Sequence, residues 1–257
     1  MNTQMTDLVV RESKDGAAIL TLNRPEKLNA LSKAMIEALE EHVDVIERET
    51  KTIGLVILRG AGGNFSSGHD MAEVLAEVKA HAKPHHYVEV IDKVANLPQP
   101  VICAVQGHCS TGALELALAG DLIVASASAC FVDAYARWGL TPIWGLSLRL
   151  PHRIGTSKAS EMMYTCRRYT GEEAYEMHLA NFCFPDAEFE SGLEALARDI
   201  LANSWYSNQV NKRALLASDG LTLHDAHALD LFKNEGLAPD AAQRVARFFK
   251  KARKAAR

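Results

Sequence analysis

The chain has 257 residues, 48% of them apolar and 23% charged, and a formal net charge of −4. That length suits one large domain or a core with a smaller appendage, and the composition suits a globular protein with a full core. The weak acidity gives no reason to expect nucleic acid or an anionic surface as a partner, and no uncharged apolar run approaches the ~20 residues a bilayer needs.

In chain order, Leu8-Val9-Val10 and Ala18 to Leu22 flank Asp15-Gly16, a tight-turn pair, and predict a hairpin. Ser32 reads as the N-cap of a helix running to about Glu49, with Met35, Ile36, Leu39, Val43 and Ile46 on its apolar face. The apolar run Ile53 to Leu58 predicts a buried strand that ends in the loop Arg59 to Asn64. Helices are expected near 70–80 and 85–96. Pro100 opens a second buried strand, Val101 to Val105, which Gly107 closes. Gly112 to Ala119 reads as a helix and Leu122 to Ala125 as a third buried strand. Strands alternating with helices imply an α/β core with largely parallel pairing. Strand signals thin out from about 156, and from about 190 the pattern is helical, with Leu193, Leu196, Ile200 and Leu201 at helix spacing. The expected division is a core over 1–195 and a helical region over 196–257.

The N-terminal MNTQMTDLVV lacks a basic stretch followed by an apolar run, so no signal peptide is expected. Five cysteines, at 103, 109, 130, 166 and 183, are odd in number and form no CxxC pair. Free thiols in a reducing, cytoplasmic compartment are the simplest expectation. His81, His85 and His86 cluster without the spacing of a metal site, so no metal is expected.

Two segments carry chemistry. Phe65-Ser66-Ser67-Gly68-His69-Asp70-Met71 runs from a strand into a helix, as does Gln106 to Ala117, which contains Thr111-Gly112-Ala113. Small residues admit a ligand close to the backbone, and the N–H groups at helix starts lack intrahelical partners. Two such ends facing each other form an oxyanion hole. Glu115 stands among apolar neighbours, either at the one solvent-facing position of its helix or lining a site.

These segments, with Leu22 to Leu31, resemble the crotonase superfamily, the enoyl-CoA hydratase/isomerase family. Gly139, Pro142, Gly145 and Arg149-Leu150 fit the stretch after the family's active site, and Asp240-Ala241-Ala242 with Phe248 resemble its C-terminal helices. The resemblance implies an α/β fold: a crotonase (ClpP-like) spiral of ββα units holding a CoA-thioester site, followed by a C-terminal helical trimerisation domain. It implies an enoyl-CoA hydratase-like enzyme acting on an acyl-CoA, with no separate cofactor because coenzyme A arrives as part of the substrate. Self-association as a homotrimer or homohexamer is implied, with no nucleic acid and no membrane as partner.

By the same resemblance the N–H donors are His69, where the family usually has alanine, and Gly112; Thr111 and Ala113 replace flanking glycines. The His69 imidazole either packs at the cleft wall or faces the acyl group. Glu115 matches the first catalytic glutamate of the hydratases, while Tyr135 stands where the second would fall, with Asp133 two residues earlier. Lys27, Leu28, Ala30, Ser67, Asp70 and Met71 fall in segments that line the substrate and coenzyme A cleft; Trp138 and Trp144 flank the acyl pocket or pack in the core. Without the second glutamate, isomerisation, decarboxylation or hydrolysis of an acyl-CoA are alternatives to hydration, and a catalytically silent acyl-CoA- or RNA-binding homologue is the alternative from another class. The basic tail from Arg247 to Arg257 is expected as a solvated helix end, some of whose cations meet coenzyme A phosphates.

Overall fold

The computed structural model describes residues 8–81, 85–233 and 236–255. Contacts divide the chain into two units, Met1–Ala197 and Arg198–Arg257.

The first unit opens with a hairpin of β1 (Val9–Lys14) and β2 (Ala17–Leu22). Asp15 and Gly16 take φ of 51° and 88°, the two positive values that a two-residue turn matching the strand twist requires. Helix α1 (Lys33–Ile46) follows, and the Ser32 hydroxyl accepts from Met35 N at 3.3 Å. It stops three residues short of the predicted Glu49, because Ile46 is its last buried apolar residue and Glu47 to Glu49 close as a turn. The chain continues through β3 (Leu55–Gly60), α2 (Met71–Ala80), α3 (His85–Ala95), β4 (Val101–Val105), β5 (His108–Ser110) and α4 (Gly112–Ala117). Next come β6 (Leu122–Ser126), β7 (Cys130–Val132), α5 (Leu146–Thr165), β8 (Tyr169–Thr170), α6 (Gly171–Glu176), β9 (Phe182–Phe184) and α7 (Phe189–Ala202). Strands β5 and β7 are three residues each, and β8 and β9 are three or fewer, too short to show a period of two.

The strands form a six-stranded sheet, ordered β1-β2-β3-β4-β6-β9, and a three-stranded sheet, β5-β7-β8. Among the described strands, only β1–β2 and β7–β8 pair antiparallel. Strand β4 is buried at all five positions, as a parallel strand covered on both faces should be. Each fully buried Val, Leu or Ile there contributes roughly 1.5–3 kcal/mol of burial. Parallel pairing aligns strand ends, and the loops after β3 and β5 therefore emerge side by side.

The second unit holds α8 (Trp205–Ser218), α9 (Leu223–Lys233) and α10 (Ala241–Ala255). Ser204 caps α8 and donates to Asp240 at 2.7 Å, and Asp240 also takes an ion pair from Arg244. Phe248 and Phe249 on α10 are 68% and 59% exposed. Within the basic tail, the side chains from Lys251 onward lie outside the described ones, as does that of His85.

Candidate active site

The segment Phe65 to Met71 is stitched on both sides. Ser66 N donates to His108 O at 2.8 Å and Leu31 N donates to Gly68 O at 2.8 Å. Asn29, fully buried, supports both flanks: its amide donates to Ala61 O and Asn64 O at 2.8 and 2.7 Å and its Oδ1 accepts from Arg24 N at 2.9 Å. Gly68 has φ of 94°, and a Cβ there would lie 2.5 Å from Ser110 O and 3.4 Å from Gly112 N. Glycine is thus what lets the two predicted segments touch.

Leu31 makes both of its bonds to Gly68 and Asp70, which turns the backbone N–H of His69 to the opposite side. Gly112 is the first residue of α4, so its N–H has no intrahelical acceptor. Neither N–H meets an acceptor among the described residues. Thr111, between the two, is held at φ 47° and ψ −109°, a region that β-branched residues rarely enter. Its N–H donates to Val132 O at 2.8 Å and its carbonyl accepts from Glu115 N at 3.0 Å, which fixes it there.

Beside these groups is a cavity of about 940 Å³. Its wall includes Ser67, His69, Met71, Glu77, Thr111, Tyr135, Trp138 and Trp144. The Trp144 ring lies directly on Gly112, where a Cβ would come within 2.2 Å of it. The same ring stacks on Tyr87 at 4.7 Å and meets the His69 ring at 4.9 Å.

Glu115 is fully buried, so it is not the surface residue of one expectation, yet it does not line the cavity either. Its Oε2 accepts from the Tyr135 hydroxyl at 2.5 Å, and its Oε1 accepts from Trp144 N at 2.9 Å and Leu146 N at 3.0 Å. Burial pushes its carboxyl above the usual range, against those three hydrogen bonds. Burial and the neighbouring Glu115 charge push the Tyr135 hydroxyl far up, so it stays protonated as a donor. Asp133 is 1% exposed and also raised by burial; its Oδ1 accepts from Tyr135 N at 3.0 Å, so it supports the Tyr135 loop and stays off the cavity wall.

The substrate-binding set divides. Ser67, Met71, Trp138 and Trp144 line the cavity. Trp144 is 1% exposed whereas Trp138 is 60% exposed. Asp70 instead caps α2, accepting from Ala72 N at 2.9 Å and from Arg24 at 2.7 Å. Against desolvation, Arg24 and these bonds hold its carboxyl below the ordinary value. Lys27, Leu28 and Ala30 are not on this cavity's wall; they sit at the short helical turn over Pro25–Lys27 and just after it, and Ser67 N donates to Leu28 O at 2.9 Å.

One part of the site was missed in the sequence: Glu73, Glu77 and Tyr87. Glu77 Oε1 lies 3.4 Å and Glu73 Oε2 4.0 Å from His69 Nε2, and Tyr87 donates its hydroxyl to Glu73 at 2.9 Å. The signal was the spacing of Glu73 and Glu77, one turn apart on one face of α2, with His69 just before the Asp70 N-cap of that helix. No group of three or more metal-ligating side chains occurs among the described residues, and no helix among them is long and apolar enough to cross a membrane.

The sequence profile described as enoyl-CoA hydratase/isomerase matches residues 12–248. The chain belongs to the enoyl-CoA hydratase/isomerase family. Its fold is the crotonase fold: a crystal structure of an enoyl-CoA hydratase from Bacillus anthracis superposes with a TM-score of 0.87 at 29% identity, covering 95% of this chain and 96% of that one. Among relatives, a probable peroxisomal enoyl-CoA hydratase of Arabidopsis thaliana is 33% identical over 229 residues, 89% of this chain and 85% of the relative. A 1,2-epoxyphenylacetyl-CoA isomerase of Escherichia coli is 30% identical over 225 residues, 85% of this chain and 86% of the relative.

Proposed function

We propose that this enzyme binds an acyl-CoA thioester, holds its carbonyl between the backbone N–H groups of His69 and Gly112, and moves a proton between carbons of an enoyl chain through the thioester enolate. The observation that carries the proposal is the pair of unbonded N–H groups on segments that Gly68 brings into contact beside the cavity. Each preorganised donor of this kind is worth ~3–4 kcal/mol in a transition state. Adding water across an enoyl thioester needs one group to deprotonate water and another to protonate the α carbon. Glu115 has both oxygens engaged behind the wall, and Tyr135 gives its hydroxyl to Glu115, so the hydratase pairing of two free carboxylates is missing. A proton shift needs a single base. Hydration is the second reading, favoured by the similarity to the Arabidopsis relative. Coenzyme A enters as part of the substrate, and trimeric or hexameric self-association through 196–257 belongs to the same proposal, supported by the exposed Phe248 and Phe249.

The test pairs two substrates. A 3-enoyl-CoA should gain the absorbance of a conjugated thioester when the purified protein is added, and crotonyl-CoA should lose it if water is added instead. No change with either substrate, together with no binding of either, would refute the proposal.

A further inference from the structure

Resting on the thioester-enolate reading, we infer that the proton-transfer group of this cavity is the His69 imidazole backed by the Glu77 carboxylate, with Glu115 a structural tie behind the wall. The geometry is the first support. Both side chains line the cavity, with 10% and 24% of their surface open, and His69 Nε2 stands 3.4 Å from Glu77 Oε1. Among the described residues, His69 Nε2 has no hydrogen-bond partner of good geometry although it is buried. A buried polar atom left unmatched calls for a reason, and a catalytic role is one of those reasons. The second support is position. A carbonyl held on the His69 backbone N–H lies within one side-chain length of the His69 ring. Tyr87 and Trp144 pack the ring on two sides at 4.9 Å, which limits the rotamers it can adopt.

Burial drives the two groups toward each other. Desolvation lowers the His69 imidazole against the pull of Glu73 and Asp70, while desolvation and Glu73 raise the Glu77 carboxyl. Groups whose affinities for a proton converge exchange it at little cost. In the step itself, the imidazole takes a proton from the α carbon. The C–H electron pair moves into the thioester as an enolate, whose oxygen is held by the two N–H groups. The imidazolium, balanced by Glu77, delivers a proton at the γ carbon, and the double bond moves into conjugation. No oxidant, water or metal is consumed.

The experiment is exchange of the α hydrogen of butyryl-CoA in D2O, followed by mass spectrometry, with acyl-CoA binding measured in parallel. The full-length protein should exchange it, and His69→Ala and Glu77→Gln should each lower the rate by 10²-fold or more with binding changed less than about threefold. His69→Ala keeps the backbone N–H and so leaves the proposed hole intact. Glu77 is a quarter exposed, so Glu77→Gln should fold and remains informative if His69→Ala misfolds. Exchange in the parent protein that survives both substitutions overturns the dyad while leaving the enolate reading standing. No exchange in the parent protein overturns both.

Discussion

Glu115→Ala removes one acceptor group from three donors at once: the Tyr135 hydroxyl and the N–H groups of Trp144 and Leu146. The residues bearing these donors are 8%, 1% and 0% exposed, so water does not replace the carboxylate freely. A buried donor left unsatisfied costs about 1–3 kcal/mol. Removing a desolvated carboxyl returns part of that, which leaves a net loss of about 4 kcal/mol. At ~2–4 °C per kcal/mol for a chain this long, apparent Tm should fall by ~8–16 °C. Glu115→Gln keeps an acceptor for the two backbone N–H groups, and its amide can donate to a rotated Tyr135 hydroxyl, so its loss should be about 1 kcal/mol. The two variants also differ in pH dependence. Burial raises the folded-state pKa of Glu115 above the unfolded value of ~4.3. As pH rises past the unfolded value, the unfolded chain ionises first while the folded chain keeps its proton. Stability contributed by this group is therefore full below the unfolded pKa and declines until pH passes the folded pKa. Glu115→Gln abolishes that decline, so its deficit against the parent should shrink as pH rises above the unfolded value of ~4.3. Thermal melts at fixed protein concentration measure both effects. If Glu115→Ala melts within 2 °C of the parent, or if the glutamine variant loses as much as the alanine one, the three hydrogen bonds do not hold the wall.

Gly112→Ala drives a methyl to within 2.2 Å of the Trp144 ring, so it should lower thioester turnover at least 10²-fold and reduce apparent Tm; unchanged kinetics would show that the ring is free to move. Thr111→Gly relieves a backbone strained by ~1–3 kcal/mol at the cost of ~0.5–1 kcal/mol in chain entropy, so denaturant titration should show equal or greater stability, and a clear loss would mean that Thr111 is unstrained. Asn29→Ala leaves the carbonyls of Ala61 and Asn64 and the N–H of Arg24 without their side-chain partner, and should cost about 3 kcal/mol in the same titration.

The sheet was legible because each signal was local: a turn pair at Asp15-Gly16, a cap at Ser32, buried runs before Gly60 and Gly107. The touching segments were legible for a related reason, since Gly68 and Gly112 stand where only a residue without Cβ fits. What stayed hidden depends on partners distant in sequence. Nothing near Glu115 says that residues 20 to 31 positions later will occupy both of its oxygens. An acid surrounded by Ala and Leu looks the same whether it faces a substrate or caps the start of α5. The Glu73-Glu77 face of α2 was visible as spacing, but its meaning came only when the His69 ring, just before that helix, was closed in by Tyr87 and Trp144.

Gly112 and Glu115 stand one helical turn apart on α4, and they act as one device. The Glu115 carboxylate holds the backbone of Trp144 through its N–H, and the ring carried by that backbone rests on Gly112. The second oxygen holds Tyr135, whose loop forms another part of the same wall. In the proposed oxyanion hole, a donor at Gly112 would stabilise an enolate only if it stayed aimed as charge developed, since reorganisation would forfeit the gain. Three hydrogen bonds to a buried carboxylate supply that rigidity from behind, where they compete with no substrate. On the proposed reading, a glutamate committed to this task leaves proton transfer to the groups on the open side, where the ring of His69 and the carboxylate of Glu77 meet at 3.4 Å.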